Sequence, residues 1–541
     1  MKNLAKIEWY AAGFITLLSV WLHVSHALHA GPLWRDEANT AAISALPTIG
    51  DIWKNLEFDS FPIAWLLVVR VLHGLGMAGD AGLRFVGCLV GLAIVGVLWA
   101  LARSFYRGLP LFSLALLAIC PSLVIYGDSA RAYGFGSLTG LVAFGFLWRY
   151  FDQPSWKRFA ISSAASIFAA QSLYYNCIVI GAACAGGLAL AWRRRDRNLA
   201  WQAPLAGVPA ALTLLPYFQV FHRAGEWNIL VQIDKFEFTN FWGKLTTAVG
   251  LAGGWFIWIW TALFIFALFV LPMALLRQPL LKTSPREKET IVFGVSALFA
   301  GTLSYYLFLK MLRYPTQPWY YLSLLAFIAV AIDAVAGASF RGEIARKVRL
   351  TACLVIAVIA LPTASRNVAM RMSNIDLIAE KLKTRAGSGD LVLFYPWFLQ
   401  LTYERYQSST AEFATIPLMP PSPLHRYDII KKLMEEPDQT KPVAPLAAKI
   451  ETCLKGGHRI YLVGGDCPFM PLDRDPIILS PAPLPPPIEW SDELYSFAWG
   501  TQIMRVFQLH GVRSDNWPPV TDEFVNPLEN PSVVEIAGWK N

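Results

Sequence analysis

Long apolar runs, separated by short polar or basic connections, fill the first two thirds of this chain. A helix needs about 20 apolar residues to cross a hydrocarbon core. On that criterion the pattern predicts spans at 8–28, 82–102, 109–126, 132–150, 159–175, 177–192, 200–220, 255–276, 290–309, 319–337 and 350–364. The short pair 159–175 and 177–192 must be two crossings, turned back at Tyr174-Tyr175-Asn176, because both of their far ends are basic. A shorter apolar stretch, 61–77, contains Arg70 and His73 and predicts a helix lying in the interface, apolar side down. It belongs to one large loop, 29–81.

From about residue 366 the apolar runs shorten and prolines accumulate. The pattern predicts a helix at 374–385, a strand at 390–395, a helix at 443–455, a strand at 459–464 and another strand near 503–509. Helices alternating with short β-rich runs read as a small α/β domain. The proline-rich run 481–487 should be extended surface loop. The predicted fold class is a mostly α polytopic membrane protein, residues 1–365, with a C-terminal α/β soluble domain, residues 366–541.

Composition supports this. Of 541 residues, 55% are hydrophobic and 16% charged, where soluble domains carry about 25% charged residues. The net charge of +8 does not imply nucleic-acid binding, because many Lys and Arg residues flank apolar segments. Basic clusters mark every second connection: Lys2 and Lys6, Arg103 and Arg107, Arg149 to Arg158, Arg193 to Arg197, Arg277 to Lys288, and Arg341 to Arg349. The positive-inside rule then predicts a cytoplasmic N-terminus, about eleven spans and a C-terminal domain on the outer face, which is periplasmic for a bacterial inner-membrane protein. The first span lacks a small-residue cleavage site and reads as retained. Cys88, Cys120, Cys177, Cys184 and Cys353 lie in apolar segments and read as small buried residues. Cys453 and Cys467 fall in the outer domain, where a disulfide and free thiols are both open readings.

Candidate chemistry gathers on the predicted outer face. Just after the first span stands Trp34-Arg35-Asp36-Glu37-Ala38, an acid pair framed by an arginine and a tryptophan. One carboxylate there could act as general base on a hydroxyl nucleophile. The bland alternative is a solvated loop that ends a helix. Asp59 and Asp128 could join the pair around a divalent cation such as Mg²⁺ or Mn²⁺, although no spacing demands a metal. Arg131 begins one span and Arg313 lies between two others. A guanidinium at that depth either snorkels or finds an anion, and the planar fork suits a lipid phosphate.

These motifs carry a resemblance. The chain resembles the membrane-embedded GT-C glycosyltransferases, in the branch of bacterial protein O-mannosyltransferases and aminoarabinose transferases. The matching elements are Trp34-Arg35-Asp36-Glu37-Ala38, the interfacial segment Phe61-Pro62-Ile63-Ala64-Trp65-Leu66-Leu67, Ala130-Arg131-Ala132-Tyr133, and Arg313-Tyr314-Pro315. The resemblance implies a polyprenyl-phosphate-linked sugar as donor and transfer with inversion on the periplasmic face. The acceptor would be a lipid, a glycan or a protein. It implies Asp36 as catalytic base with Glu37 as its companion. Arg131 and Arg313 would hold the lipid phosphate, with Tyr314 nearby, and Arg35, Asp59, Asp128 and Tyr133 would complete the substrate site. The chain departs from the family pattern at Ser129, where relatives often have glutamate, and at Ser60-Phe61-Pro62, where many have His-Pro-Pro. A lipid or sugar transporter and a non-catalytic envelope scaffold are the rival readings. A transporter would more often show paired repeats and broken mid-membrane helices.

Overall fold

The computed structural model describes residues 2–59, 61–226, 236–275, 283–312, 316–464, 468, 470–483 and 492–540. Arg313, Tyr314, Cys467 and the second half of the proline-rich run lie outside the described residues.

Among the described residues, seven helices are long and apolar enough to cross a membrane: Asn3–His29, Asp80–Tyr106, Asn176–Arg194, Phe256–Ala274, Pro285–Leu312, Pro318–Ser339 and Glu343–Val368. An eighth candidate is a pair, Arg197–Leu212 and Leu215–Glu226, bent by 45°. That bend replaces the straight span expected at 200–220. Pro204, Pro209 and Pro216 remove backbone donors there, which favours bending over a straight run. Two further expected spans are helices Ala132–Asp152 and Trp156–Ser172. The expected span at 109–126 is broken instead into Leu111–Ser113, a π-helical turn Leu114–Ala118, and Pro121–Gly127, all deeply buried. Pro121 interrupts its hydrogen bonding, and surrounding helices shelter the irregular backbone.

Burial divides these helices by role. Every residue from Leu322 to Ser339 is buried, so the Pro318–Ser339 element runs through the centre of the bundle. Phe256–Leu275 instead turns Trp258, Ile265, Phe269 and Met273 outward, an apolar face that only lipid satisfies. The basic connections collect at one end and are cross-linked there, with Arg194 on Glu289 (2.7 Å), Arg286 on Asp152 (3.2 Å) and Arg341 on Glu287 (2.7 Å).

At the opposite end, the first loop folds into short helices Arg35–Ser44, Ile49–Lys54 and Ile63–Gly74. Over this end sits a five-stranded sheet, β1 (Leu391–Phe394), β2 (Glu412–Thr415), β3 (Arg459–Val463), β4 (Gly511–Asn516) and β5 (Val533–Trp539), in the order β2-β1-β3-β5-β4. The first three strands in that order are parallel, and β5 and β4 join antiparallel. Leu391 and Leu393 face one core while Val392 and Phe394 face another, as in a sheet covered on both sides. The strand expected at 503–509 is the end of a helix, Glu493–His510, whose Tyr495, Trp499, Ile503 and Phe507 pack into one core. Its apolar run has both periods available, and packing selects the helical one. Cys453 is a free, buried thiol.

The sheet domain is tied down by specific bonds. Tyr406 OH accepts the backbone N–H of Leu33 at 2.7 Å and donates to Asp80 at 2.7 Å. Arg405 reaches Asp80 at 2.8 Å, and the N–H of Met372 donates to Ala30 O at 2.8 Å.

Candidate functional site

The acid pair is placed by a helix start. The chain leaves the first helix through Gly31-Pro32 and begins the next at Arg35, putting Asp36 and Glu37 in its first turn, where carboxylates complement the helix dipole. Glu37 Oε2 accepts the backbone N–H of Trp34 at 3.2 Å and closes that turn. At the other end Arg70 donates to the carbonyls of Ser44 (3.3 Å), Leu46 and Pro47 (2.7 Å), capping the helix.

Adjacent residues on a helix point about 100° apart, and the two acids have different surroundings. Glu37 is fully buried and clamped by Arg84, with Nη1 to Oε1 at 2.5 Å and Nη2 to Oε2 at 2.7 Å. Its Oε1 also accepts the N–H of Ala130 at 2.8 Å. Both oxygens are therefore spent on holding the helix against the bundle and against the turn that carries Arg131. Arg84 did not figure in the sequence reading, although a lone arginine inside an apolar span was a signal of a buried partner.

Asp36 keeps its oxygens looser. Arg35 Nε lies 3.4 Å from Oδ1, Arg131 Nη2 lies 4.0 Å from Oδ2, and His425 Nε2 lies 4.0 Å from Oδ1. Burial pushes this carboxyl up, but Arg131 and Arg35 outweigh it and hold it below its ordinary value. It is ionised at neutral pH. His425 arrives from the sheet domain, its backbone N–H held by Asn39 Oδ1 at 3.0 Å. Burial drives its imidazole down to about 3, against the pull of Asp36, so it is neutral. Nothing in the sequence marked His425, because only tertiary docking brings it across 389 positions of chain to Asp36, as the two residue numbers show.

Arg131 knits the floor of the site. Its Nη1 donates to Asp59 Oδ1 (2.7 Å), Thr40 Oγ1 (3.0 Å) and the Asp36 carbonyl (3.2 Å), while Thr40 Oγ1 donates to Asp59 Oδ2 (2.9 Å). Its guanidinium lies 4.3 Å from the Phe61 ring centre and 5.8 Å from that of Tyr133. Trp34 and Trp319 meet edge to face at 5.5 Å, and Tyr126 packs on Trp319 at 5.0 Å. Among the described residues, Arg131 Nε, Trp34 Nε1, Trp319 Nε1 and His425 Nε2 are buried without a hydrogen-bond partner. Buried donors in that number, beside an ionised carboxylate, are what a polar ligand would satisfy.

Asp36, Asp59, Arg35, Arg131 and Tyr133 are thus brought together, with Glu37 directly behind. Asp128 is not part of this group. It pairs with His23 Nδ1 at 2.7 Å inside the bundle, in space opened by Gly87 and Gly91. The cation grouping of Asp36, Asp59 and Asp128 is therefore not formed, since Asp59 is committed to Arg131 and Asp128 to His23. Among the described residues no three His, Cys, Asp or Glu side chains converge on a metal position. Arg35 links the site to the sheet domain through its backbone N–H, 3.3 Å from Glu529 Oε1, and its guanidinium, 4.1 Å from the Phe398 ring centre.

No protein-family model matches this sequence, and neither does any curated protein. Among solved structures, the chain is similar to ArnT from Cupriavidus metallidurans in the apo state, at 12% identity and a TM-score of 0.50, over 84% of this chain and 94% of that one. The fold is GT-C. The same ArnT bound to undecaprenyl phosphate aligns at 12% identity and a TM-score of 0.48, over 97% and 98% of the two chains. An Archaeoglobus fulgidus oligosaccharyltransferase in complex with Zn and sulfate aligns at 12% and 0.48, over 95% of this chain and 72% of that one. At such identities the likeness describes the fold of a polytopic membrane protein, and its chemistry rests on the site itself.

Proposed function

We propose that this chain is an inverting glycosyltransferase that moves a sugar from a polyprenyl-phosphate donor to an acceptor on the periplasmic face of a bacterial inner membrane. The observation that carries the reading is Asp36. It is an ionised, loosely held carboxylate at the mouth of an apolar bundle, beside arginines and beneath a docked domain. In the proposed step Asp36 takes the proton of an acceptor hydroxyl, whose oxygen attacks the anomeric carbon. The bond from that carbon to the phosphate oxygen breaks, and the polyprenyl phosphate departs with the bonding pair. Arg131, through its unpartnered Nε edge, stabilises the charge developing on the phosphate. Arg313 and Tyr314 are proposed, on the resemblance alone, to approach the same phosphate.

Glu37 takes a positioning role in this scheme, because Arg84 and two backbone N–H groups occupy its oxygens. His425, neutral and facing Asp36, is the sheet domain's contribution and orients the acceptor hydroxyl. The acceptor class, whether lipid, polysaccharide or protein hydroxyl, is left to the assay. Purified protein is given a radiolabelled polyprenyl-phosphate sugar and a membrane lipid extract, and labelled products are separated by chain type. The parent should transfer label and Asp36→Asn should lose about 10²–10⁴-fold in rate. Near-parental transfer by Asp36→Asn overturns the base assignment, and no transfer by the parent to any acceptor favours a transporter or a scaffold.

A further inference from the structure

At the basic end, far from Asp36, a polar cavity of about 290 Å³ opens between the first helix, the Asp80–Tyr106 helix and the last two long helices. Arg103, Arg107, Arg341, Arg346 and Arg349 line it, together with Glu8. Glu8 is buried, and its Oε1 accepts from Arg346 Nε at 3.1 Å and lies 3.6 Å from Arg349 Nη2. Arg341 is held by Glu287 at 2.7 Å and by the Tyr106 carbonyl at 2.9 Å. Behind the wall, Asp333 spends its oxygens on Tyr106 OH (2.8 Å), the N–H of Phe112 (2.9 Å) and Ser113 Oγ (3.2 Å). Five guanidinium groups therefore line the cavity, and the carboxylates around them are Glu8, Glu287, Asp333 and Glu343, the last already paired with Lys347.

The surplus is not all at the surface. Arg349 is 5% exposed, lines the cavity, and its Nε has no hydrogen-bond partner among the described residues. A buried, incompletely bonded guanidinium is costly unless an anion completes it. Arg103 is exposed and held over the Trp9 ring at 4.8 Å, at the cavity rim. Farther round the first helix from this rim, Ile7, Tyr10, Phe14 and Leu17 are strongly exposed on the face turned to lipid. The site therefore has a guanidinium-lined head end whose rim, at the half-exposed Trp9, opens beside the lipid-facing side of the first helix. Positive-inside orientation accounts for basic residues at helix ends, but it does not require them to converge on a concavity or to bury one of their number.

We propose that this cavity binds the anionic phosphate group of a membrane lipid headgroup, seated on Arg349, Arg103 and Arg107. Basic pockets between helices on the positive-inside face suit that ligand, and the arginine fork matches phosphate oxygens. A free inorganic phosphate shares this chemistry, and the experiment separates the two sources. Full-length protein, delipidated in a neutral detergent, is incubated with phosphatidylglycerol or phosphatidylcholine and lipid retention is read by native mass spectrometry. A parallel arm measures thermal protection by millimolar sodium phosphate against sodium chloride of equal ionic strength.

Phosphatidylglycerol should be retained in preference to phosphatidylcholine, and retention should fall about fivefold for each of Arg103→Gln and Arg107→Gln. These two side chains are exposed and their loss leaves the bundle core intact. Arg349→Gln should lose more, and it is judged only if it elutes as the parent does. Protection by phosphate that is lost in the same variants, without lipid selectivity, assigns the cavity to free phosphate. Equal retention of the two lipids with no phosphate protection overturns the proposal. So does an equal loss in Arg158→Gln, a basic-end arginine outside the cavity, because the attraction would then be general.

Discussion

Glu37→Gln and Asp36→Asn are nearly isosteric changes at neighbouring positions, and the structure predicts opposite consequences for them. Glu37 is fully buried and Arg84 is 4% exposed, so the amide leaves a guanidinium without its counter-ion in a dry interior. Breaking a buried pair from one side costs about 3–5 kcal/mol, which is about two to four decades in an unfolding equilibrium. The glutamine oxygen can still accept one N–H, from Trp34 or Ala130, but it cannot reproduce the paired 2.5 and 2.7 Å bonds. Asp36 is 15% exposed in its side chain and its charged partners stand 3.4–4.0 Å away, so Asp36→Asn should change stability by about 1 kcal/mol or less. Tryptophan-fluorescence melts in detergent micelles, read together with the rate of irreversible inactivation, compare the two. Glu37→Gln should melt well below the parent, and Glu37→Gln/Arg84→Met should recover much of the loss, because removing both charges removes the uncompensated one. Any residual transfer by folded Glu37→Gln should exceed that of Asp36→Asn. If Glu37→Gln melts with the parent while its transfer falls as far as that of Asp36→Asn, the division of roles between these acids is wrong.

The buried Glu529 has its carboxyl pushed up to about 7 by burial, against the pull of Arg35 and its donors Ser373 and Thr402. A raised carboxyl binds its proton more tightly in the folded state, so its stabilising contribution is full below the ordinary carboxylate range and is lost as pH rises toward 7. Over that window the parent should lose up to about 3 kcal/mol that Glu529→Gln does not lose, measured as the difference between their melting midpoints at pH 4.5 and pH 8. His425, depressed to about 3, should work the other way: stability falls as pH drops below the ordinary histidine value, and His425→Gln should flatten that limb in the same melts. Gly87→Ala should destabilise by about 1–3 kcal/mol or more, because a Cβ there would lie 1.8 Å from the Asp128 carbonyl oxygen. Gly13→Ala, with open space around the new methyl, should be neutral or stabilising in the same assay.

Parts of the architecture were legible because they depend on local periodicity. The apolar runs gave the long helices, and the strands at 391–394 and 459–463 follow from short β-branched and aromatic runs bounded by turns. The same logic failed where two periods fit one run, as at 503–509, and where proline bends a span without ending it, as at 200–220. The order of the sheet is set by pairing, β2 on β1 and β5 antiparallel to β3, which no local run encodes.

The sequence by itself determined that the chain is a polytopic membrane protein and that an acid pair follows its first helix, on the same predicted face as Arg131. The residues alone do not separate Asp36 from Glu37, since both are acids in one helical turn, and only the resemblance ranks them. That distinction is made by Arg84, 47 positions away, which claims Glu37, and by His425 from the sheet domain, which faces Asp36. It likewise could not tell that Asp128 would turn inward to His23 while Asp59 joined Arg131. A carboxylate's chemistry is set by the charges, donors and solvent within a few ångströms of it, and for these residues nearly all of those neighbours come from elsewhere in the chain.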